Sequence, residues 1–247
     1  MIKRSDILTE DFAEVLRRHA IEAYPEEAIG VLLASGYRRL TNVSPEPHLY
    51  VALDPGEWDE LVISETIIAL FHSHPNGLFA PTAEDMRFQE RLAIPFLLCA
   101  TNGEACTPVA IWGDELETLP LVGRTFHHAI TDCYELIRDF YRTEKNKLLP
   151  QFPRDWSWWA QGLDLYTDGF PTARFHRVSS EEVREGDVVL FSVRSNVSNH
   201  GGIIRPNGKI LHHVTSREAY DPTRLSGEEP IARWLNHNPI YLQHEDS

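Results

Sequence analysis

Cysteine is scarce in this chain of 247 residues: Cys99, Cys106 and Cys133 are all it has. An odd, small set excludes a disulfide framework as the organiser of the fold. Long apolar runs are missing too. The longest, near Leu61–Phe71, is interrupted by Ser64, Glu65 and Thr66, and it falls short of the roughly 18 residues that cross a bilayer as a helix. Positive charge is in deficit, with 23 Lys and Arg against 37 Asp and Glu, a net charge of −14. A surface of that sign repels phosphate backbones and anionic lipid, which argues against nucleic-acid binding and membrane insertion. The start, Met1-Ile2-Lys3-Arg4-Ser5-Asp6, lacks the apolar centre of a secretory signal. That predicts synthesis in the cytoplasm, or export by another route. No internal repeat is visible.

What is there is globular: 42% of residues are hydrophobic and 24% charged, enough for one large domain or two modest ones. Gly113-Asp114-Glu115, then Pro120 and Gly123, break an apolar, strand-rich first part from the rest of the chain. The domains expected are 1–115 and 116–247. In the first, Thr9 or Asp11 caps a helix with Phe12, Leu16 and Ala20 on its apolar face, and Pro25 ends it. Strands are expected at Ile29–Ala34, Ile67–Phe71, Phe96–Ala100 and Val109–Trp112, with helices opened by Asp54-Pro55 and spanning Thr82–Leu92. In the second, Cys133, Ile137, Phe140 and Tyr141 share one helical face, and a further helix is expected over Trp156–Asp168. Val188–Val193, Gly201–Arg205 and Lys209–Val214 read as strands, with a hairpin turn at Pro206-Asn207-Gly208. The first half is an α/β or α+β pattern and the second an α+β pattern, so the chain as a whole reads as α+β. The end, Gln243–Ser247, reads as a solvated tail.

Chemistry concentrates at two places. Phe71-His72-Ser73-His74-Pro75 closes a predicted strand, and strand alternation puts His72 and His74 on one side. Two such imidazoles can share one Zn²⁺, and Asp85, at the start of a helix, can add a carboxylate. The fourth position is then open to water, as in catalytic zinc sites. Glu27, before the Ile29 strand, suits a general base. Asp85 also makes sense without a metal, because Thr82-Ala83-Glu84-Asp85 is a capping arrangement. The set Glu27-Ala28-Ile29-Gly30, His72-Ser73-His74-Pro75 and Thr82-x-x-Asp85 resembles the full motif of the JAMM (Mov34/JAB) metalloproteases. The resemblance implies a cytidine-deaminase-like α/β sandwich. It also implies zinc on His72, His74 and Asp85, water activation by Glu27, and help to the oxyanion from Thr82.

Cys133 follows Asp132 at the start of a helix, where the dipole stabilises a thiolate. His200 and His212 lie on consecutive predicted strands and can stand side by side across their hairpin. One imidazole can accept the thiol proton and the other orient it. A reactive but non-catalytic thiol is the alternative. Asp132-Cys133-Tyr134, Gly186-Asp187-Val188, His200-Gly201-Gly202-Ile203 and Ile210-Leu211-His212 resemble the NlpC/P60 cysteine peptidases, papain-like hydrolases of peptidoglycan stem peptides. Their triad falls on Cys133, His200 and His212. Two positions depart from the family pattern. Phe126 stands where many members carry a tyrosine hydroxyl, and bulky Tyr134 where a small residue is common. The cluster Trp156, Trp158, Trp159 is either core or a stacking surface.

The order of the two motifs resembles the tail-tip proteins of lambda-like siphophages. That resemblance implies a virion tail-tip location, synthesis in the host cytoplasm, and other tail-tip or hub proteins as partners. It also implies local opening of the peptidoglycan wall during genome entry. The alternative is a mainly structural tail component with closed or vestigial sites.

Overall fold

The structure, a computed structural model, describes residues 1–214 and 217–246. The chain divides into two compact units, Met1–Glu117 and Thr118–Ser247. Both mix helix and sheet, so the α+β class holds. Among the described residues, no helix is long and apolar enough to cross a membrane.

The first unit runs α1 (Arg4–Ile7), α2 (Glu10–Ala23), β1 (Ile29–Leu33), β2 (Gly36–Leu40), α3 (Pro55–Ser64), β3 (Ile67–Pro75), α4 (Ala83–Leu92), β4 (Phe96–Thr101) and β5 (Ala110–Trp112). The strands form one sheet in the order β2-β1-β3-β4-β5, in which only β3 and β4 are parallel. Helix α4 is the crossover that a parallel pair requires. Thr9 caps α2, and Asp54 caps α3 with Pro55 in its first turn. Leu16 and Ala20 of α2 bury against Phe71, Leu97 and Cys99 on one sheet face. On the other face Phe88 of α4 meets Phe96 edge-on at 5.3 Å, with His72 and Trp112 in the same aromatic group. The sheet is thus sandwiched, and β3 is buried on both faces.

The second unit runs β6 (Thr125–His127), α5 (Cys133–Glu144), a 3₁₀ turn (Trp158–Gln161), α6 (Leu165–Gly169), β7 (Phe175–Val178), β8 (Val188–Phe191), β9 (His200–Arg205), β10 (Lys209–His212), β11 (Tyr220–Leu225), β12 (Gly227–Pro230), a second 3₁₀ turn (Ile231–Arg233) and β13 (Ile240–His244). Six strands form an antiparallel sheet ordered β12-β10-β9-β8-β13-β7, and β11 pairs with β6. Helix α5 lays Leu136, Ile137, Phe140 and Tyr141 against Val188, Leu190, Ile203 and Leu211. Gly201 permits this approach, since a Cβ there would sit 3.0 Å from Ile137 Cδ1. The opposite face buries Val189, Phe191 and Ile210.

The expected helix over Trp156–Asp168 is not formed. Gly162 sits at φ +77° and divides the stretch into the 3₁₀ turn and α6. Trp158 is buried there and meets Tyr166 at 5.0 Å, so this tryptophan is core. The tail is also not simply solvated. His244 is buried, Gln243 bonds Asp187, and Asp246 pairs with Lys147; Ser247 lies outside the described residues.

Two candidate active sites

In the first unit, β3 presents His72 and His74 side by side, ring centroids 5.1 Å apart. Asp85 reaches them from the first turn of α4. Its Oδ1 lies 3.2 Å from His72 Nε2 and its Oδ2 3.2 Å from His74 Nε2. One ligand atom from each residue falls within 4.8 Å of the others. Thr82 and Asp85 also form the reciprocal capping box. The metal reading and the capping reading of this segment therefore coexist. The Thr82 hydroxyl donates to Asp85 Oδ2 at 2.7 Å, so in this arrangement it orients the carboxylate.

Glu27 is brought to the cluster by the β1–β3 register, which pairs Ile29 with His72. Ser73 locks that register. Its hydroxyl accepts from Ala28 N at 2.9 Å, and its own N–H donates to Ala28 O. Glu27 is buried. Burial pushes its carboxyl upward, against the pull of His72 and His74.

The donor set fits a divalent cation. Both nitrogens of His72 are buried without a hydrogen-bond partner, although Asp85 is close. Such orphaned donors and acceptors are rare unless something else satisfies them. His74 donates Nδ1–H to the Leu78 carbonyl at 2.9 Å, which aims its Nε2 at the cluster. Burial pushes His74 down, but the hydrogen bond and charge of Asp85 outweigh it and lift the imidazole to about 9. A cavity of about 260 Å³ adjoins the cluster, lined by Leu49, Leu53, Thr82, Phe88 and Arg91.

In the second unit Cys133 is the first residue of α5, and Asp132 caps it by accepting from Tyr134 N and Glu135 N. Asp132 is itself clamped by the fully buried Arg154, with Nη2 2.8 and 2.9 Å from its two oxygens. The thiol faces the Tyr166 hydroxyl at 3.5 Å and the backbone N–H of Gly201. The expectation of a stabilised thiolate does not hold. Burial, and then the charge of Asp132, push Cys133 up to about 11, against smaller opposing effects of Tyr166, Gly201 and Arg154.

His200 and His212 are brought together as the hairpin suggested. Register pairs Gly202 with His212, which sets His200 diagonally beside it. The two rings bond, His200 Nε2 to His212 Nδ1, at 2.9 Å. A Cβ on Gly202 would come within 2.9 Å of the His212 Cβ, which explains the glycine. His200 Nδ1 is buried and has no hydrogen-bond partner. Burial holds His200 well below its ordinary value, and His212 adds to the effect. The resting pair is therefore a neutral thiol and a neutral imidazole.

The two departures from the family pattern have structural answers. Phe126 packs edge-on against Trp156 and His213, and the hydroxyl beside the thiol comes instead from Tyr166. Tyr134 does not project into open space. Its hydroxyl donates to Pro150 O at 2.7 Å and its ring stacks on Phe152. Three contributors are invisible to motif reading. Tyr166 and Arg154 lie in or beside the tryptophan-rich stretch, which carries no catalytic motif. Glu229, 2.8 Å from His212 Nε2, lies in the charged strand Gly227-Glu228-Glu229-Pro230. Only its placement beside His212 singles it out.

Comparison with known proteins finds two family matches, one after the other along the chain. Residues 9–112 match the family of prokaryotic homologs of the JAB domain, and residues 117–237 match the NlpC/P60 family. Tail tip assembly protein K of Escherichia phage lambda is 33% identical over 175 residues, covering 68% of this chain and 82% of that protein. Tail tip assembly protein K of Escherichia phage N15 is 25% identical over 207 residues, covering 81% and 83%. A solution structure of a protein from Desulfitobacterium hafniense covers 48% of this chain and 94% of its own, at 24% identity and a TM-score of 0.35.

Proposed function

We propose that this chain, which belongs to the family of phage tail tip assembly proteins K, is a tail-tip peptidoglycan endopeptidase carrying a second, metal-dependent hydrolase site. The observation that carries the reading is the Cys133 site: a thiol beside the residue-201 backbone, and on residue 200 a buried nitrogen with nothing to bind. His200 Nδ1 takes the Sγ proton as Sγ attacks a stem-peptide carbonyl carbon. A C–S bond forms, and the C–N bond breaks as His200 returns the proton to the departing nitrogen. Water, deprotonated by His200, then hydrolyses the thioester and restores the thiol. Because the resting pair is neutral, proton transfer accompanies attack, as for a serine nucleophile, rather than preceding it.

In the first unit His72, His74 and Asp85 would hold the metal, with zinc favoured by two imidazoles and a carboxylate. A bound Zn²⁺ would supply Lewis-acid polarisation of a carbonyl. Glu27 accepts a proton from the attacking water and passes it to the leaving nitrogen. Thr82 holds Asp85, and to serve an oxyanion its hydroxyl must turn away from that carboxylate. The adjoining cavity, with Leu49, Leu53 and Phe88 in its wall, suits a peptide bearing an apolar side chain. Division into domains at 1–115 and 116–247 gives each site its own core. Other tail-tip or hub proteins are the partners, peptidoglycan is the substrate, and host-cytoplasmic synthesis precedes assembly into the virion.

A second reading has an observation in its favour. Cys133, His200 and His212 are 3%, 1% and 3% exposed, so a mainly structural assembly role with closed sites also accommodates them. Defined peptidoglycan fragments incubated with wild type, Cys133→Ala and His72→Ala, with products read by mass spectrometry, separate the two. Cleavage lost with Cys133→Ala alone supports the peptidase. No cleavage by any form, free or in assembled tails, overturns it.

A further inference from the structure

We propose that Glu229 is a positioning residue of the Cys133 site: its carboxylate fixes the tautomers of His212 and His200 in series, so that the proton-free nitrogen of His200 is Nδ1. The inference rests on the peptidase reading of the second unit.

The argument is one of donors and acceptors. Glu229 Oε1 accepts from Trp234 Nε1 at 3.0 Å, and Oε2 accepts from Arg233 Nη1 at 3.0 Å. An ionised carboxylate is an acceptor only. The third contact, His212 Nε2 to Oε1 at 2.8 Å, therefore needs the hydrogen on His212 Nε2. A neutral imidazole has a single N–H, so His212 Nδ1 is a lone pair. That nitrogen lies 2.9 Å from His200 Nε2, which must then carry the hydrogen. His200 Nδ1 is left bare, and it is the buried nitrogen with no partner. An unsatisfied buried acceptor is costly, and on the peptidase reading a proton taken from the nucleophile is what would satisfy it.

The sheet builds this series. Register pairs Ile210 with Glu229 and Gly202 with His212, so Glu229, His212 and His200 are successive diagonal neighbours on one face. The Trp234 ring adds rigidity, 4.9 Å from His212 and 5.0 Å from His200 by centroid. Without Glu229 nothing in this series decides which nitrogen of His212 is protonated. The other choice turns both rings' hydrogens round and places a hydrogen on His200 Nδ1, which can then no longer accept a proton.

The test uses the full chain labelled with ¹⁵N-histidine, with Nδ1 and Nε2 shifts read at neutral pH in wild type, Glu229→Gln and Glu229→Leu. Wild type is expected to show Nε2–H at both His200 and His212. Glu229→Leu is expected to mix the tautomers and to lower kcat on peptidoglycan fragments about 10–10²-fold with KM little changed. Glu229→Gln keeps an acceptor oxygen and is expected to retain the tautomers and most of the rate. An Nδ1–H form of either residue in wild type overturns the proposal, and so do unchanged tautomers in Glu229→Leu. The shifts need no substrate. Correct tautomers in a protein that cleaves nothing would overturn the peptidase reading and leave the hydrogen-bond series standing. Should Glu229→Leu not fold, the wild-type and Glu229→Gln shifts still decide.

Discussion

The two units assemble their polar sites in opposite ways. In the first, His72, His74 and Asp85 come from one strand and the helix that follows it, so local chain geometry collects them. In the second, Cys133, Tyr166, His200, His212 and Glu229 come from α5, α6, β9, β10 and β12, and only sheet register and helix packing bring them near one another. The unsatisfied atoms differ as well. The first site leaves both nitrogens of His72 without partners beside a carboxylate, an arrangement that asks for a cation. The second links its imidazoles in sequence and leaves a single nitrogen, His200 Nδ1, without a partner.

That contrast can be broken most sharply at the nucleophile. Cys133→Ala is expected to lower turnover of wall fragments by about 10⁴-fold or more while zinc content stays at wild-type level; loss of zinc together with turnover would join the two sites. Arg154→Met comes next. It removes the cation that neutralises buried Asp132, while Glu135, 3.4 Å from the same guanidinium, keeps its pair with Arg138, and leaving the buried Asp132 charge without its arginine costs about 3–5 kcal/mol. Urea unfolding followed with a probe in each unit should show the second transition move and the first stay. Zinc should do the converse. At about 100 times its Kd it is expected to stabilise the first unit by about 3 kcal/mol, an effect that Asp85→Ala abolishes and Cys133→Ala does not.

A smaller effect separates the units by pH. Burial raises the Asp132 carboxyl, but Arg154 and His128 outweigh it and hold it at about 2, below its ordinary 3.8. A group depressed on folding adds stability above its unfolded value and loses it as pH falls through the folded one. The second unit should therefore lose about 2–3 kcal/mol between roughly pH 5 and 2, a loss that Asp132→Asn removes. The alkylation rate of Cys133 should meanwhile climb tenfold per pH unit toward a thiol value of about 11. A plateau near neutrality would restore the thiolate expected from the helix terminus.

Much of the scaffold was legible in the sequence because apolar periodicity reports burial directly. Helix α2, strand β3, helix α4, helix α5 and the β9–β10 hairpin carry strong patterns, and each formed. Strand β2 escaped because Gly-Tyr-Arg-Arg-Leu is a largely exposed edge with no alternation to read. Strands β11 and β12 carry Pro222 and Pro230 among charged residues, against ordinary strand composition. The Trp156–Asp168 stretch has helical-looking aromatics, but Gly162 adopts a left-handed conformation and the tryptophans pack on one another instead.

The sequence by itself determined which chemistries this protein can hold. Ligand type and short spacing point to a metal, and a cysteine opening a helix with histidines on a hairpin points to a thiol site, because side-chain identity carries that information. Only the tertiary structure decided the states of those groups. That burial pushes the Cys133 thiol up, that His200 Nδ1 is left without a hydrogen-bond partner, and that Glu229 stands behind His212 all depend on neighbours remote in the chain. Protonation and tautomer are set by desolvation and by through-space donors and acceptors, which no local pattern encodes.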